Sequence, residues 1–445
     1  MRHPTTIALC VLTACTSAPQ HELKPHDIRP LPYPAGDYGQ LPRHIQGIQD
    51  RMKQAQRSSQ PLRILAVHGM LTDAPGYSGA WQQQIAMQLG LLARADTLVE
   101  IVRGYTVIPF SGPQPFEQVK SKQSTLRKTR WFDPADSTRD AIVFYELFWA
   151  PYRDVIKKQF FACFDSRSID TSDCIPFTNA AKNVDKRVAV NRTIKDNIMI
   201  RGLSDAALVL GPLGDIFRDD VDLAMCAIAA DALAAHKLAV APSPTERCDL
   251  TRARQRVSAP AEIADATIAQ TLVATPFVVI THSLGGFLIM DGQTRAESLA
   301  RSGSDRRREA LAFDLMDQAT VFMYANQIPL LQLGRLTAMC VPSDGGSICP
   351  NRRLSTKVPA EPTFTKLTTY VGFNDTNDLL DFEIPPYFTA VGLFGRLVNV
   401  SVSNPVLRVP GFHEPDKSHV SYGINPAIVK GVVFGFDLPI PEPPR

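Results

Sequence analysis

The chain has 445 residues, 44% of them hydrophobic and 20% charged, with a formal net charge of +3. That length and apolar content suit one large buried core or two modest ones. The scattered Lys and Arg, without interleaved aromatics, argue against nucleic-acid binding, and no Cys-x-x-Cys or His-x-x-x-His spacing suggests a metal; no cofactor is expected.

The N-terminus, "MRHPTTIALCVLTACTSAPQ", has a short polar start at Arg2 and His3 and an apolar run, Ile7 to Ala14, too short to span a bilayer. Small residues then precede a cysteine. The "LTAC" at Leu12 to Cys15 resembles the lipobox of bacterial lipoproteins. That resemblance implies a signal peptide over 1–14, lipidation of Cys15 and attachment to the bacterial cell envelope without a spanning helix. Thr16 differs from an inner-membrane retention residue, so by analogy the expected site is the outer membrane, facing the periplasm. Residues 15–60 read as a tether rich in Pro, Gln and Arg, with a short helix near Gln46 to Gln56.

Export agrees with the cysteines. Besides Cys10 and Cys15 there are Cys163, Cys174, Cys226, Cys248, Cys340 and Cys349, an even set suited to an oxidising compartment. Their spacings suggest the pairs 163–174, 226–248 and 340–349, among the fifteen connectivities that six cysteines allow.

From 61 to 150 apolar strands alternate with a helical pattern. "RILAVHG" at Arg63 to Gly69 reads as a buried strand, "SGAWQQQIAMQLGLLARA" at 78–95 as a helix, and "VEIVRGYTVIPF" at 99–110 and "AIVFYELFWA" at 141–150 as further strands. The region 151–270 is predicted to be a helical insertion or lid, carried by "DVDLAMCAIAADALAAHKLAV" and holding four of the cysteines. The strand rhythm returns over 271–445 in "PFVVITHS", "ATVFMYANQ", "TKLTTYVGF" and "LVNVSVS". A last helix, "NPAIVKGVVFG", and a Pro-rich tail follow. Such alternation predicts an α/β fold with a mainly parallel central sheet and helices on both faces.

One stretch carries chemistry: "FVVITHSLGGFLI" runs a strand into Ser283 and then into a helix-like segment. A Gly-x-Ser-x-Gly turn holds its serine on a sharp bend where side chains two before and two after collide. Gly285 meets the second requirement, but Thr281 stands where the first glycine is usual. After the first strand, His68-Gly69-Met70 lets the backbone turn closely, so that the N–H groups of Met70 and Leu284 are oxyanion-donor candidates. With the nucleophile preceding acid and base, only His413 and His419 remain as bases, and His419, just before the closing helix, is the better placed. The segment "YVGFNDTNDLLDF" offers Asp375, Asp378 and Asp381 as acids; two leucines after Asp378 would turn its carboxylate inward, with Asp375 the alternate.

"AVHGM", "THSLGG", "FNDTNDLL" and "HVSYGINPAIV", in this order, resemble the α/β-hydrolase superfamily, specifically lipase and esterase-like members. The resemblance spans roughly 61–435, with 151–270 as an insertion. It implies a catalytic triad of Ser283, Asp378 and His419, with Tyr422 completing an H-x-x-Y…N-P tail that favours His419 over His413. The implied activity is hydrolysis of carboxylic esters, on a small-molecule or lipid substrate, by a membrane-anchored enzyme. The alternatives are a degenerate relative acting as an envelope binding protein, and an acyltransferase or amidase using the same triad. "YELFWAP" also looks like this group, with no chemical role assigned to it.

Overall fold

The computed structural model of the chain describes residues 28–29, 43–70, 74–94, 97–100, 124–151, 153, 202–211, 213–239, 248–255, 265–301, 310–333, 341–343, 346–348, 368–375, 378–384, 396–404 and 415–438. Cys15, Cys163, Cys174, Cys340, Cys349 and His413, the signal segment 1–14 and most of the strand expected over 99–110 lie outside them.

In chain order the strands are β1 (Ile28–Arg29), β2 (His44–Ile45), β3 (Leu62–Val67), β4 (Leu92–Ala93), β5 (Thr97–Glu100), β6 (Thr125–Phe132) and β7 (Ile142–Phe148). They continue with β8 (Phe277–His282), β9 (Thr320–Tyr324), β10 (Val341–Ser343), β11 (Gly346–Ile348), β12 (Thr369–Asp375), β13 (Arg396–Val402) and β14 (Phe436–Asp437). The helices are α1 (Ile48–Arg57), α2 (Gly79–Leu89), α3 (Ser204–Leu210), α4 (Gly214–Ala235) and α5 (Leu250–Gln255). After these come α6 (Asp265–Ala274), α7 (Leu284–Arg301), α8 (Ile328–Leu333), α9 (Pro415–Val420) and α10 (Pro426–Phe434).

Ten strands form one sheet in the order β1-β13-β12-β9-β8-β3-β7-β6-β4, with β5 also on β6. From β13 to β7 every neighbouring pair is parallel; β1, β6, β4 and β5 add antiparallel edges. The predicted mainly parallel α/β architecture is present.

Alternation along the central strands sorts the core into two layers. Ile64 and Ala66 of β3, with Val278 and Ile280 of β8, share a cluster with residues of α1, α2 and α10. Leu65 and Val67, with Phe277 and Val279, face residues of α3, α4, α6 and α7. Period-two side chains on strands covered on both sides produce this division, and explain why these strands read as unbroken apolar runs.

Several boundaries differ from the sequence reading. The helix expected over 78–95 stops at Leu89, because Gly90 takes a left-handed φ of 68° and closes it. Strand β6, "TLRKTRWF", was not anticipated: its basic residues hide a strand whose Leu126 is buried against the sheet. Residues 15–60 are more than a tether. Ile45 and Ile48 are fully buried, β2 pairs with β14, and β1 pairs with β13.

The helical insertion is bound to the sheet by charge as well as by apolar contact. Asp231 of α4 accepts from Lys128 of β6 at 2.6 Å, Arg63 of β3 at 3.3 Å and Tyr145 of β7 at 2.6 Å. Burial opposes its charge, but the two cations and the phenol prevail and its pKa is lowered. One predicted disulfide falls within the described residues, Cys226–Cys248. It closes a loop with a sequence separation of 22. Restricting the unfolded chain in this way stabilises by about 2–4 kcal/mol. The double variant Cys226→Ser/Cys248→Ser is expected to unfold at correspondingly lower denaturant, and the wild type to match it once reduced.

Candidate active site

From the central strand β3 the chain builds the β4–β7 side of the sheet and then returns to β8 on the other side of β3. Loops leaving the carboxyl ends of β3 and β8 therefore diverge, which opens a crevice at that end of the sheet. His68-Gly69-Met70 follows β3 and Ser283 follows β8.

Ser283 joins β8 to α7 with φ of +55°. A left-handed conformation costs an L-residue about 1–2 kcal/mol and needs support from its surroundings. The support is visible: the Ser283 N–H donates to the Tyr324 carbonyl at 2.8 Å, and Gly286 N–H donates to the Ser283 carbonyl at 3.1 Å. Four non-glycine residues among those described have positive φ. Ser59 and Lys237 follow helices α1 and α4, whereas Ser283 and Ala325 follow adjacent strands at this crevice.

Three glycines let the backbones close on the serine. A Cβ at Gly69 would sit 2.3 Å from Ser283 Cβ, and one at Gly285 would sit 2.4 Å from the Val67 carbonyl oxygen. Gly286 resolves the problem of Thr281. A Cβ there would come 3.2 Å from Thr281 Oγ1 and 2.7 Å from Met323 Cε. The space given up at Gly286 admits the threonine side chain that replaces the usual first glycine. Leu284, the first residue of α7, follows Ser283 directly; its N–H is one of the four at a helix start that have no intrahelical acceptor. Met70 is one peptide beyond Gly69, and both Met70 and Leu284 are buried.

His419 lies near the end of the short helix α9, ahead of the closing helix α10 as anticipated. Its Nδ1 meets the Asp378 carboxylate at 2.9 and 3.1 Å. The carboxylate also accepts the Leu380 N–H at 2.9 Å and lies 3.3 Å from the Tyr422 hydroxyl. Both partners are buried, Asp378 at 3% and His419 at 1% exposure. Of the two leucines only Leu380 packs against the core, Leu379 being 65% exposed; His419, Tyr422 and the Leu380 amide hold the Asp378 carboxylate.

Asp375 is occupied differently. At the end of β12, its Oδ2 accepts the Asn404 N–H at 2.8 Å and its own N–H faces Asp381 Oδ2 at 2.7 Å and the Tyr422 oxygen at 3.0 Å. Asp375 thus holds neighbouring loops together, while His419 pairs with Asp378. Asn425, just before Pro426, caps α10 through the Ala427 N–H and also donates to the Ser403 carbonyl, fixing the chain after His419.

His282 was overlooked as a participant. Its Nε2 donates to the His419 carbonyl at 2.6 Å, and the two rings meet edge-on with centroids 4.8 Å apart. The residue preceding Ser283 therefore positions the backbone of the candidate base. Burial, assisted by His419, lowers the His282 pKa to about 4, so it stays a neutral donor.

The "YELFWAP" segment also acquires a role. Trp149 stacks on His68 with centroids 4.6 Å apart, donates its N–H to His68 Nε2, and donates its indole N–H to the His68 carbonyl. His68 Nδ1 bonds the Gly69 carbonyl at 2.7 Å, and burial holds the imidazole neutral, well below its usual pKa. Glu146 accepts the N–H groups of Gly76 and Ser78, restraining the loop after the His-Gly turn. No signal local to the sequence links these residues, because their partners are about 70–80 positions away.

Ser283 Oγ and His419 Nε2 are both buried and without a hydrogen-bond partner. The two atoms do not hydrogen-bond to each other; the link between Ser283 and His419 is the adjacent His282, which bonds the His419 carbonyl. Among the described residues no cluster of metal-ligating side chains occurs, and no helix is long and apolar enough to cross a membrane. Compared with known protein families, characterised proteins and solved structures, the chain has no significant match.

Proposed function

We propose that the chain is a serine hydrolase of the α/β-hydrolase superfamily that cleaves carboxylic esters through Ser283, His419 and Asp378. The observation that carries this reading is Ser283 held at positive φ on a strand-to-helix turn with a free Oγ, beside a buried Asp378–His419 pair tied through His282. The nucleophile, acid and base order and the turn after a buried strand both agree with that superfamily.

In the first half-reaction His419 Nε2 takes the Ser283 Oγ proton as the oxygen attacks the ester carbonyl carbon. The N–H groups of Met70 and Leu284 stabilise the resulting oxyanion. The C–O bond to the alcohol then breaks, the leaving oxygen takes the proton from His419, and an acyl-Ser283 remains. Water attacks this acyl group with His419 again as base, releasing the carboxylic acid and restoring Ser283. Asp378 keeps the Nδ1 proton in place and stabilises the imidazolium.

The helical insertion forms a wall of the site, since residues of α3 and α4 share the cluster of Met70, Trp149 and Leu284. An anchor at Cys15 would hold the enzyme at the envelope, where acyl-lipid esters are at hand. A fluorophosphonate probe tests the reading: the wild type is expected to be labelled and Ser283→Ala to be unlabelled. Undiminished labelling of Ser283→Ala, or an unlabelled wild type, refutes it, the latter favouring a binding protein on the same fold.

A further inference from the structure

At the opposite end of the sheet, roughly 15–20 Å from Ser283 by the length of β9, the first residues of three parallel strands stand in one row. Thr320 of β9, Thr369 of β12 and Arg396 of β13 are in direct register. Registered residues on parallel strands share a face, and this is the face covered by α1, because Phe322 two residues along packs in that layer. Opposite the row lies Arg51 of α1, only 7% exposed.

Arg51 is held by neutral groups. Its guanidinium donates to the Gln318 carbonyl, to Thr320 Oγ1 at 3.4 Å and to Gln54 Oε1 at 3.1 Å. Its Nε is buried and has no partner. The nearby carboxylates, Asp50 and Asp437, are engaged by His44 at 3.1 and 2.8 Å. Burial lowers the Arg51 pKa to about 10; the charge of Asp50 opposes this, and the like charge of Arg396 adds a smaller lowering. A cavity of about 210 Å³ lies among His44, Arg51, Thr320, Thr369 and Arg396. A hollow of about 440 Å³ that also borders Arg51 adds Lys53 and Arg57, together with the His44-bound Asp50.

Two guanidiniums facing one cavity, with two hydroxyls beside them, form a set rich in donors, and a buried cation lacking a carboxylate favours a bound anion. We infer that this cavity is a phosphate-binding site, distinct from the Ser283 crevice, that takes a phosphate group either free or on a lipid headgroup. Arg51 and Arg396 grip the oxyanion, Thr320 and Thr369 donate from the strand ends, and Lys53 and Arg57 attract the ligand from the rim. The inference stands apart from the hydrolase reading and is tested without an activity assay.

Calorimetric titration of the full chain in detergent, with inorganic phosphate and separately with glycerophosphoglycerol, is the experiment, at constant ionic strength set by sodium chloride. Saturable binding of at least one is expected, weakened about tenfold or more in Arg396→Gln. Arg51 is buried and its loss could unfold the chain, so the more accessible Arg396 is the deciding position. Arg396→Gln should match the wild type in far-UV circular dichroism. Binding of phosphate alone identifies a free-anion site, and tighter binding of the diester a headgroup site. Absence of binding by both ligands, or binding that Arg396→Gln leaves intact, overturns the inference.

Discussion

Asp378→Asn lowers kcat/KM for a carboxylic ester by about 10⁴-fold, with the loss in kcat rather than KM. The geometry specifies why. One Asp378 oxygen accepts the Leu380 N–H and the other faces His419 Nδ1 at 2.9 Å. An asparagine has a single acceptor oxygen. If that oxygen stays on Leu380, its amide N–H₂ faces Nδ1 and forces the proton to Nε2, so the imidazole can no longer accept from Ser283. Fluorophosphonate labelling of Asp378→Asn should be slowed rather than abolished, because the nucleophile remains. Asp375→Asn is expected to retain most activity, since the asparagine oxygen can still accept the Asn404 N–H. Steady-state kinetics of both variants, with melting temperatures, checks the assignment. If only Asp375→Asn collapses kcat, the acid has been misassigned.

Local patterns made the central strands and the candidate residues at their ends legible. Val278, Val279 and Ile280 are buried on both faces, so β8 stands out as an apolar run, and its abrupt end at Ser283 marks the turn. His419 was legible from chain order. What escaped depends on contacts distant in sequence. Strand β6 carries Lys128 and Arg130 and looks like a surface segment until β7 pairs with it and Asp231 receives Lys128. His282 carries no local signal of a role, because its bond to the His419 carbonyl spans 137 positions. Thr281 looked like a defect in the turn because its compensation, the missing side chain of Gly286, becomes apparent only when α7 folds back over β8. In each case the residue type was compatible with its role, and the partner was hidden by distance along the chain.

Asp381 supplies the second large effect, through pH rather than through the reaction. It sits behind the candidate triad, with the Tyr422 hydroxyl 3.2 Å from its Oδ2 and 3.3 Å from Asp378 Oδ2. Burial, then the charge of Asp378, raise its pKa to about 8, against the opposing bonds from the Asp375 amide and Tyr422. In the folded chain Asp381 therefore keeps its proton near neutrality, whereas in the unfolded chain it ionises near pH 4. Between these values the native state binds more protons than the unfolded state, so stability falls as pH rises from about 4 to about 8 and levels off above. At about 1.4 kcal/mol for each tenfold change in proton affinity, the total is a few kcal/mol. Asp381→Asn is neutral at every pH and can still accept the Asp375 N–H, so it should remove this decline. Urea unfolding of wild type and Asp381→Asn at a series of pH values from 5 to 9 reads the difference directly. The variant should gain on the wild type steadily up to about pH 8. Parallel curves would mean that Asp381 is already ionised in the fold, and that Asp378 and Asp381 carry two charges side by side behind His419.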